Sequence, residues 1–131
     1  MLKLLIVSKQ RKMGDIILNS INWNAVYTDL CSIIADKQHV LKFLEDTVPD
    51  IVIMDMRMPE ETEDENVDFI ATIAKMRPSI KIIAVDTCEN FIKLQKAVHA
   101  GASEYLMIPF TLERFLRVVL KFYNFDDRSA M

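Results

Sequence analysis

Asp55 closes a short apolar run, Ile51-Val52-Ile53-Met54, and leads into Met56-Arg57-Met58-Pro59. A carboxylate at the end of a buried strand can accept a phosphoryl group, hold a cation or pair with a basic neighbour. Which of these it does depends on what the other strand ends bring beside it. Leu4-Leu5-Ile6-Val7 runs into Ser8 and Lys9, Ile80 to Val85 runs into Asp86 and Thr87, and Tyr105 to Ile108 runs into Pro109. In open parallel sheets, sites form beyond the carboxyl ends of the strands. These residues are therefore expected to converge on one cleft. Lys9, if turned inward, would repel a divalent ion, pair with Asp55 and balance Asp86. The sequence leaves its orientation open.

The elements that must position these groups alternate in type. Continuous apolar runs indicate strands covered on two faces, as in a parallel sheet. Leu30 to Ile34 is a weaker run of this kind, broken at Ser32. Between the runs lie helical spacings. The first, around Lys12 to Ile21, carries Met13, Ile16, Ile17 and Ile21. The next has Val40, Leu41, Leu44 and Val48 and stops at Pro49. Phe69, Ile70, Ile73 and Met76 form another, ended by Pro78. Phe91, Leu94, Gln95 and Val98 precede Gly101, a left-handed cap by its type and place. Thr111 can cap a last helix with Leu112, Phe115, Leu116, Val119 and Phe122. This alternation predicts one doubly wound α/β fold with helices on both faces of the sheet. Trp23 to Thr28 stays unassigned. The run from Glu60 to Asp68 holds six acids and reads as a solvated loop.

A chain of 131 residues suits one domain. Residues 1–125 are expected to form it, with 126–131 a polar tail or the start of a linker. With 51% apolar and 27% charged residues the composition is globular. The net charge of −3 gives no basic footprint for nucleic acid. Leu4 to Val7 is too short for a membrane span or a signal-peptide core, which points to the cytoplasm. Cys31 and Cys88 lack metal-site spacing and read as reduced packing thiols. His39 and His99 read as surface residues, and Met54, Met56 and Met58 as packing at the third strand and its loop.

On these residues the chain resembles the receiver domain of two-component response regulators, over about residues 2 to 123. Pro49-Asp50 followed by Ile51 to Pro59 looks like the family's third strand and loop. Gly101-Ala102-Ser103-Glu104-Tyr105-Leu106 looks like its fifth-strand entry, and Pro109-Phe110 like the segment after it. The resemblance implies a five-stranded parallel sheet, a (βα)5 flavodoxin-like receiver fold with strand order 2-1-3-4-5. It makes Asp55 the phosphoacceptor and Tyr105 a switch aromatic, and implies a cis bond before Pro109. It further implies an acid pair holding magnesium on strand one, a hydroxyl on strand four and a lysine before the strand-five proline.

Here the sequence departs from that pattern. Ser8 and Lys9 stand at the acid-pair positions, and Asp86 at the hydroxyl position, with Thr87 serving only if the register slips by one. Ile108 replaces the lysine. The loop after Pro59 is longer than usual, and Asn66 lies near the place of a common glycine. Magnesium needs carboxylates and retains several waters, so no metal or cofactor is expected; were magnesium to bind, Asp55 and the Arg57 backbone would hold it. Phosphoryl transfer concentrates negative charge that a cation must offset, so the lost lysine weakens the same function. The expectation is a degenerate receiver that signals by protein contact, with weak or no phosphorylation control. The alternative is a magnesium-dependent phosphoacceptor, phosphorylated on Asp55 by a histidine kinase and controlling a DNA-binding output domain. The expected docking face is that of the fourth helix, fifth strand and fifth helix, for a protein partner or a homodimer, with Val118 and Leu120 widening its apolar surface. No direct nucleic-acid or membrane contact is expected, and no enzyme. A dehalogenase-type phosphatase would want an acid where Arg57 stands, and a flavodoxin relative a Gly/Ser/Thr-rich loop where Ser8 to Lys12 is basic.

Overall fold

In the computed structural model the apolar runs become parallel strands, and among the described residues a helix follows four of them. The structure describes residues 2–10, 28–57, 62–87, 89 and 91–122. The strands are β1 (Leu2–Val7), β2 (Thr28–Ile34), β3 (Ile51–Asp55), β4 (Lys81–Thr87) and β5 (Glu104–Ile108). The helices among the described residues are α1 (Lys37–Asp46), α2 (Glu63–Met76), α3 (Phe91–Ala100) and α4 (Leu112–Leu120). The helix expected around Lys12 to Ile21, most of the Trp23 to Thr28 stretch, Met58, Pro59, Cys88 and the tail lie outside the described residues.

The strand order is β2-β1-β3-β4-β5, every neighbouring pair parallel. Successive strand residues point to opposite faces, and this divides the core. Leu5, Val7, Val52, Met54, Ile82 and Ala84 face α1, α2 and α3. Leu4, Ile6, Ile51, Ile53, Ile83 and Val85 face α4, through Phe115, Val118 and Val119. Asp50 stitches the entry end of the sheet. Its carboxylate accepts the Lys3 N–H at 2.7 Å, its N–H donates to the Lys3 carbonyl, and its carbonyl accepts the Lys81 N–H. The exit end carries the polar residues: Val7 pairs Met54, Asp55 pairs Val85, and Asp86 pairs Met107.

Helix ends follow the cap residues. Asp36 accepts the N–H groups of Gln38 and His39, and Thr111 accepts that of Arg114. Thr62 accepts the Glu65 N–H at 3.1 Å. Hence residues 63–68 of the acidic run are helical, not loop. A Thr-x-x-Glu start and acids at the positive end of the helix dipole favour this. Glu60 and Glu61 lie outside the described residues. α1 stops at Asp46, so Val48 is exposed and outside the helix; Pro49 keeps the residue before it extended. The Arg77 guanidinium covers the end of α1, donating to the Leu44 carbonyl at 3.0 and 3.2 Å.

α3 ends at Gly101 with a φ of 133°. The Ala102 N–H reaches the Ala97 carbonyl and the Gly101 N–H the Val98 carbonyl, the paired closure of a glycine-terminated helix. The angle is positive, as expected, but wider than a left-handed helical turn. The buried face of α3 is Leu94 and Ala97; Phe91 and Val98, expected in its apolar stripe, are exposed. In α4 the correction runs the other way. Val118 belongs to the core, Leu120 is half-buried, and Leu112 is exposed.

Candidate functional site

Strand ends β1, β3 and β4 bring Ser8, Asp55 and Asp86 to one end of the sheet, all buried. Asp55 is fully enclosed, and its partners are short-range. Ser8 Oγ donates to Oδ2 at 2.7 Å. The Arg57 backbone N–H donates to Oδ1 at 2.9 Å, and Arg57 Nε to the same oxygen at 3.0 Å. Arg57 Nη2 donates to Oδ2 at 3.1 Å. The turn Asp55-Met56-Arg57 thus folds a guanidinium fork back onto the carboxylate, a geometry that adds direction to charge.

Lys9 does not take this place. It is exposed, and its charge is one of the causes that lower the Asp36 pKa, ranking after the Gln38 and His39 N–H groups. β1 ends at Val7; Ser8, the next residue, turns to Asp55, while Lys9 follows it into an exposed position. Lys9 lines a neighbouring cleft of about 480 Å³ with Asp36, Lys37, Leu41, Glu65 and Phe69, and neither Asp55 nor Asp86 borders it.

Lys93, from the first turn of α3, places Nζ 3.0 Å from Asp86 Oδ2, an ion pair rather than an aligned hydrogen bond. The Thr87 N–H donates to Asp86 Oδ1 at 2.7 Å. The same Lys93 ammonium donates to the Met56 carbonyl at 2.9 Å. Asn66 Nδ2 donates to that carbonyl as well, at 3.2 Å, and Asn66 Oδ1 accepts from Lys37 Nζ at 2.7 Å. Lys37 in turn lies over the Phe69 ring. One carbonyl, next to Asp55, therefore joins β3 to α2 and α3. The Met56 N–H completes the junction by donating to the Val85 carbonyl.

The fifth strand end contributes apolar surface. Ile108 is half-buried against the α4-side core, in register with Thr87, and the Ile108–Pro109 bond is cis. In the sheet Asp86 pairs Met107 and Thr87 pairs Ile108. Tyr105 is half-buried and meets the Phe91 ring edge-on, centroids 5.9 Å apart at 77°. Met54 and Met56 are fully buried, as expected, and His39 and His99 are exposed.

A magnesium ion would want carboxylate and water oxygens. The described residues offer no group of three or more His, Cys, Asp or Glu for a metal. Asp55 spends both oxygens on Arg57 and Ser8, so the donor set that the described residues place around it does not fit that ion. Sequence reading found Ser8, Asp55 and Asp86 and missed the roles of Arg57, Lys93 and Asn66. The available signal for Arg57 was its place two residues after a buried aspartate, where side-chain-to-backbone turns are common.

The response regulator receiver domain family matches residues 4–120 of the chain. The DNA-binding transcriptional regulator NtrC of Azospirillum brasilense is 35% identical over 89 residues, 68% of this chain and 18% of the relative. The chain thus spans only a minor part of that relative's length. The chemotaxis protein CheY of Listeria monocytogenes is 28% identical over 124 residues, covering 92% of this chain and 98% of the relative. Among solved structures, the REC domain of AraT, a response regulator from Geobacillus stearothermophilus, superposes with a TM-score of 0.84 at 20% identity, covering 99% and 98% of the two chains.

Proposed function

Because the chain belongs to the response regulator receiver domain family, we propose that it is a two-component signalling domain acting by protein contact, with weak or no control by phosphorylation. The observation that carries this reading is the occupation of both Asp55 oxygens by Arg57 and Ser8. A phosphoryl donor would have to displace a bidentate guanidinium from a fully buried nucleophile. Ser8 and Lys9 in place of acids, Asp86 in place of a hydroxyl and Ile108 in place of a lysine support the same reading. The domain needs no metal or cofactor for this role and performs no enzymatic turnover. Its docking face is formed by α3, β5 and α4, where Phe91, Ile92, Val98 and Leu112 are exposed. A protein partner or a second copy docks there. No helix among the described residues is long and apolar enough to cross a membrane, and the proposed compartment is the cytoplasm.

The second reading keeps Asp55 as a phosphoacceptor for a histidine kinase, with magnesium held by Asp55 and the Arg57 backbone. It is favoured by the strand-end place of Asp55 and by the 29% exposure of the Arg57 side chain, which has room to swing outward. In that case a DNA-binding output segment, as the name of the NtrC relative suggests, would be the regulated part of a longer protein. Amide NMR decides between them, by titration with magnesium and then with beryllofluoride, a mimic of aspartyl phosphate. Unchanged resonances at Asp55, Asp86 and Tyr105 up to millimolar magnesium are expected. Magnesium-dependent shifts clustered on those residues would establish the second reading instead.

A further inference from the structure

We propose that Lys93 is a positioning residue: its contacts with Asp86 and the Met56 carbonyl fix the placement of α3, so this helix answers to Asp86 and not to Asp55. The inference rests on the contact-module reading above but uses a different set of atoms. Asp86 is fully buried at the end of β4, and Lys93, with a side chain only 15% exposed, is the cation that meets it. The ammonium spans two anchors at once, Asp86 Oδ2 at 3.0 Å and the Met56 carbonyl at 2.9 Å. These anchors lie at the ends of adjacent strands, Asp86 near the end of β4 and Met56 just past β3, where Asp55 pairs Val85 in the sheet. A side chain held at two points by neighbouring strands constrains its helix more than a single contact would.

What α3 gains from this is a fixed first turn. Phe91, two residues before Lys93, packs edge-on to Tyr105. Ile92, 69% exposed, is the most open large apolar residue among those described. The fully buried residues of α3 are Leu94 and Ala97, with the small Ala100 packed partly buried against the same core. With so small an apolar anchor, the ionic contact carries much of the placement of the helix. Asp55 has no direct bond to any of these groups; its partners are Ser8 and Arg57. A change of charge at Asp55 therefore has no direct route to Tyr105, whereas a change at Asp86 does.

The test compares Asp55→Asn with the double variant Asp86→Asn/Lys93→Met. The double variant removes both charges together, so it leaves neither one buried without its partner and is expected to fold. Hydrogen exchange is followed at the amides of Gln95 to Val98, which bond to first-turn carbonyls of α3, and aromatic shifts are followed at Tyr105 and Phe91. In the double variant those amides are expected to lose protection by about 10-fold or more, the factor matching loss of one charge-assisted hydrogen bond, with the Tyr105 ring shifted. Amides of α4 serve as the internal control and are expected to keep their protection. Asp55→Asn is expected to leave α3 and Tyr105 as they are. Wild-type protection of α3 in the double variant would overturn the proposal, as would an Asp55→Asn variant that moves Tyr105 equally. Neither measurement uses magnesium or a phosphate mimic, so its failure is separable from failure of the contact-module reading.

Discussion

At the scale of single residues, the governing fact is a buried carboxylate that brings its own cation. Removing one partner of such a pair leaves a charge without its counter-ion. Arg57→Met is therefore expected to destabilise by about 1–3 kcal/mol in urea unfolding, less than a fully buried pair because the guanidinium is partly solvated. Ser8→Ala removes a hydrogen bond to the same carboxylate and is expected to cost about 1–3 kcal/mol. Both side chains share Oδ2, so the double variant should depart from additivity. Costs near zero for both would mean that Asp55 is not held as described. Asp55, Ser8 and Asp86 were legible in the sequence because strand ends fix where short side chains stand. Arg57 and Lys93 were not, because a long flexible stem can reach many places and the fold selects one. The orientation of Lys9 was left open by the sequence, and the structure has it exposed.

Secondary-structure elements are held by their ends. Thr62→Ala removes the cap of α2 and is expected to cost about 1 kcal/mol, measurable as a shift in the urea midpoint. At Gly101 two penalties coincide. A Cβ there would lie 2.8 Å from the Ala74 Cβ, and the backbone already has a φ of 133°. Gly101→Ala is expected to destabilise by about 1–3 kcal/mol, with a tolerated substitution showing that α2 and α3 have slack between them. The strands were legible because continuous apolar runs have few alternatives in a chain of alternating type, while their order came from the resemblance to the receiver family. The start of α2 was misread because acids look solvated in either state, while the Thr-x-x-Glu signal that decides the matter spans only one turn. The exposed side of α3 was misread because Phe91 and Val98 share a helical stripe with Leu94, and only packing shows which edge of the stripe meets the sheet.

For the molecule as a whole, the contact between β5 and α4 ties stability to pH. Burial alone would raise the Glu104 pKa, but the Lys121 ammonium, 2.6 Å away, and the Tyr105 N–H outweigh it and bring it below its ordinary value. A lowered folded pKa contributes stability above the unfolded value of 4.5 and loses it as pH falls through the folded one. Wild type should thus lose stability more steeply than Lys121→Met below about pH 4.5, read from urea midpoints across that range. Parallel slopes would show that the pair is too solvated to matter. On the proposed docking face, Ile92→Lys should leave stability within about 0.5 kcal/mol while abolishing any concentration-dependent dimer in sedimentation velocity. The Met56 carbonyl has a spectroscopic consequence. Only two Met-Arg peptide bonds occur in the chain, Met56–Arg57 and Met76–Arg77. Carbonyl-13C methionine combined with 15N arginine would therefore yield a carbonyl–amide correlation spectrum of two peaks. One reports the peptide whose carbonyl meets Lys93 and Asn66 and whose N–H meets Asp55. The other comes from the residue covering the end of α1, which serves as an internal standard.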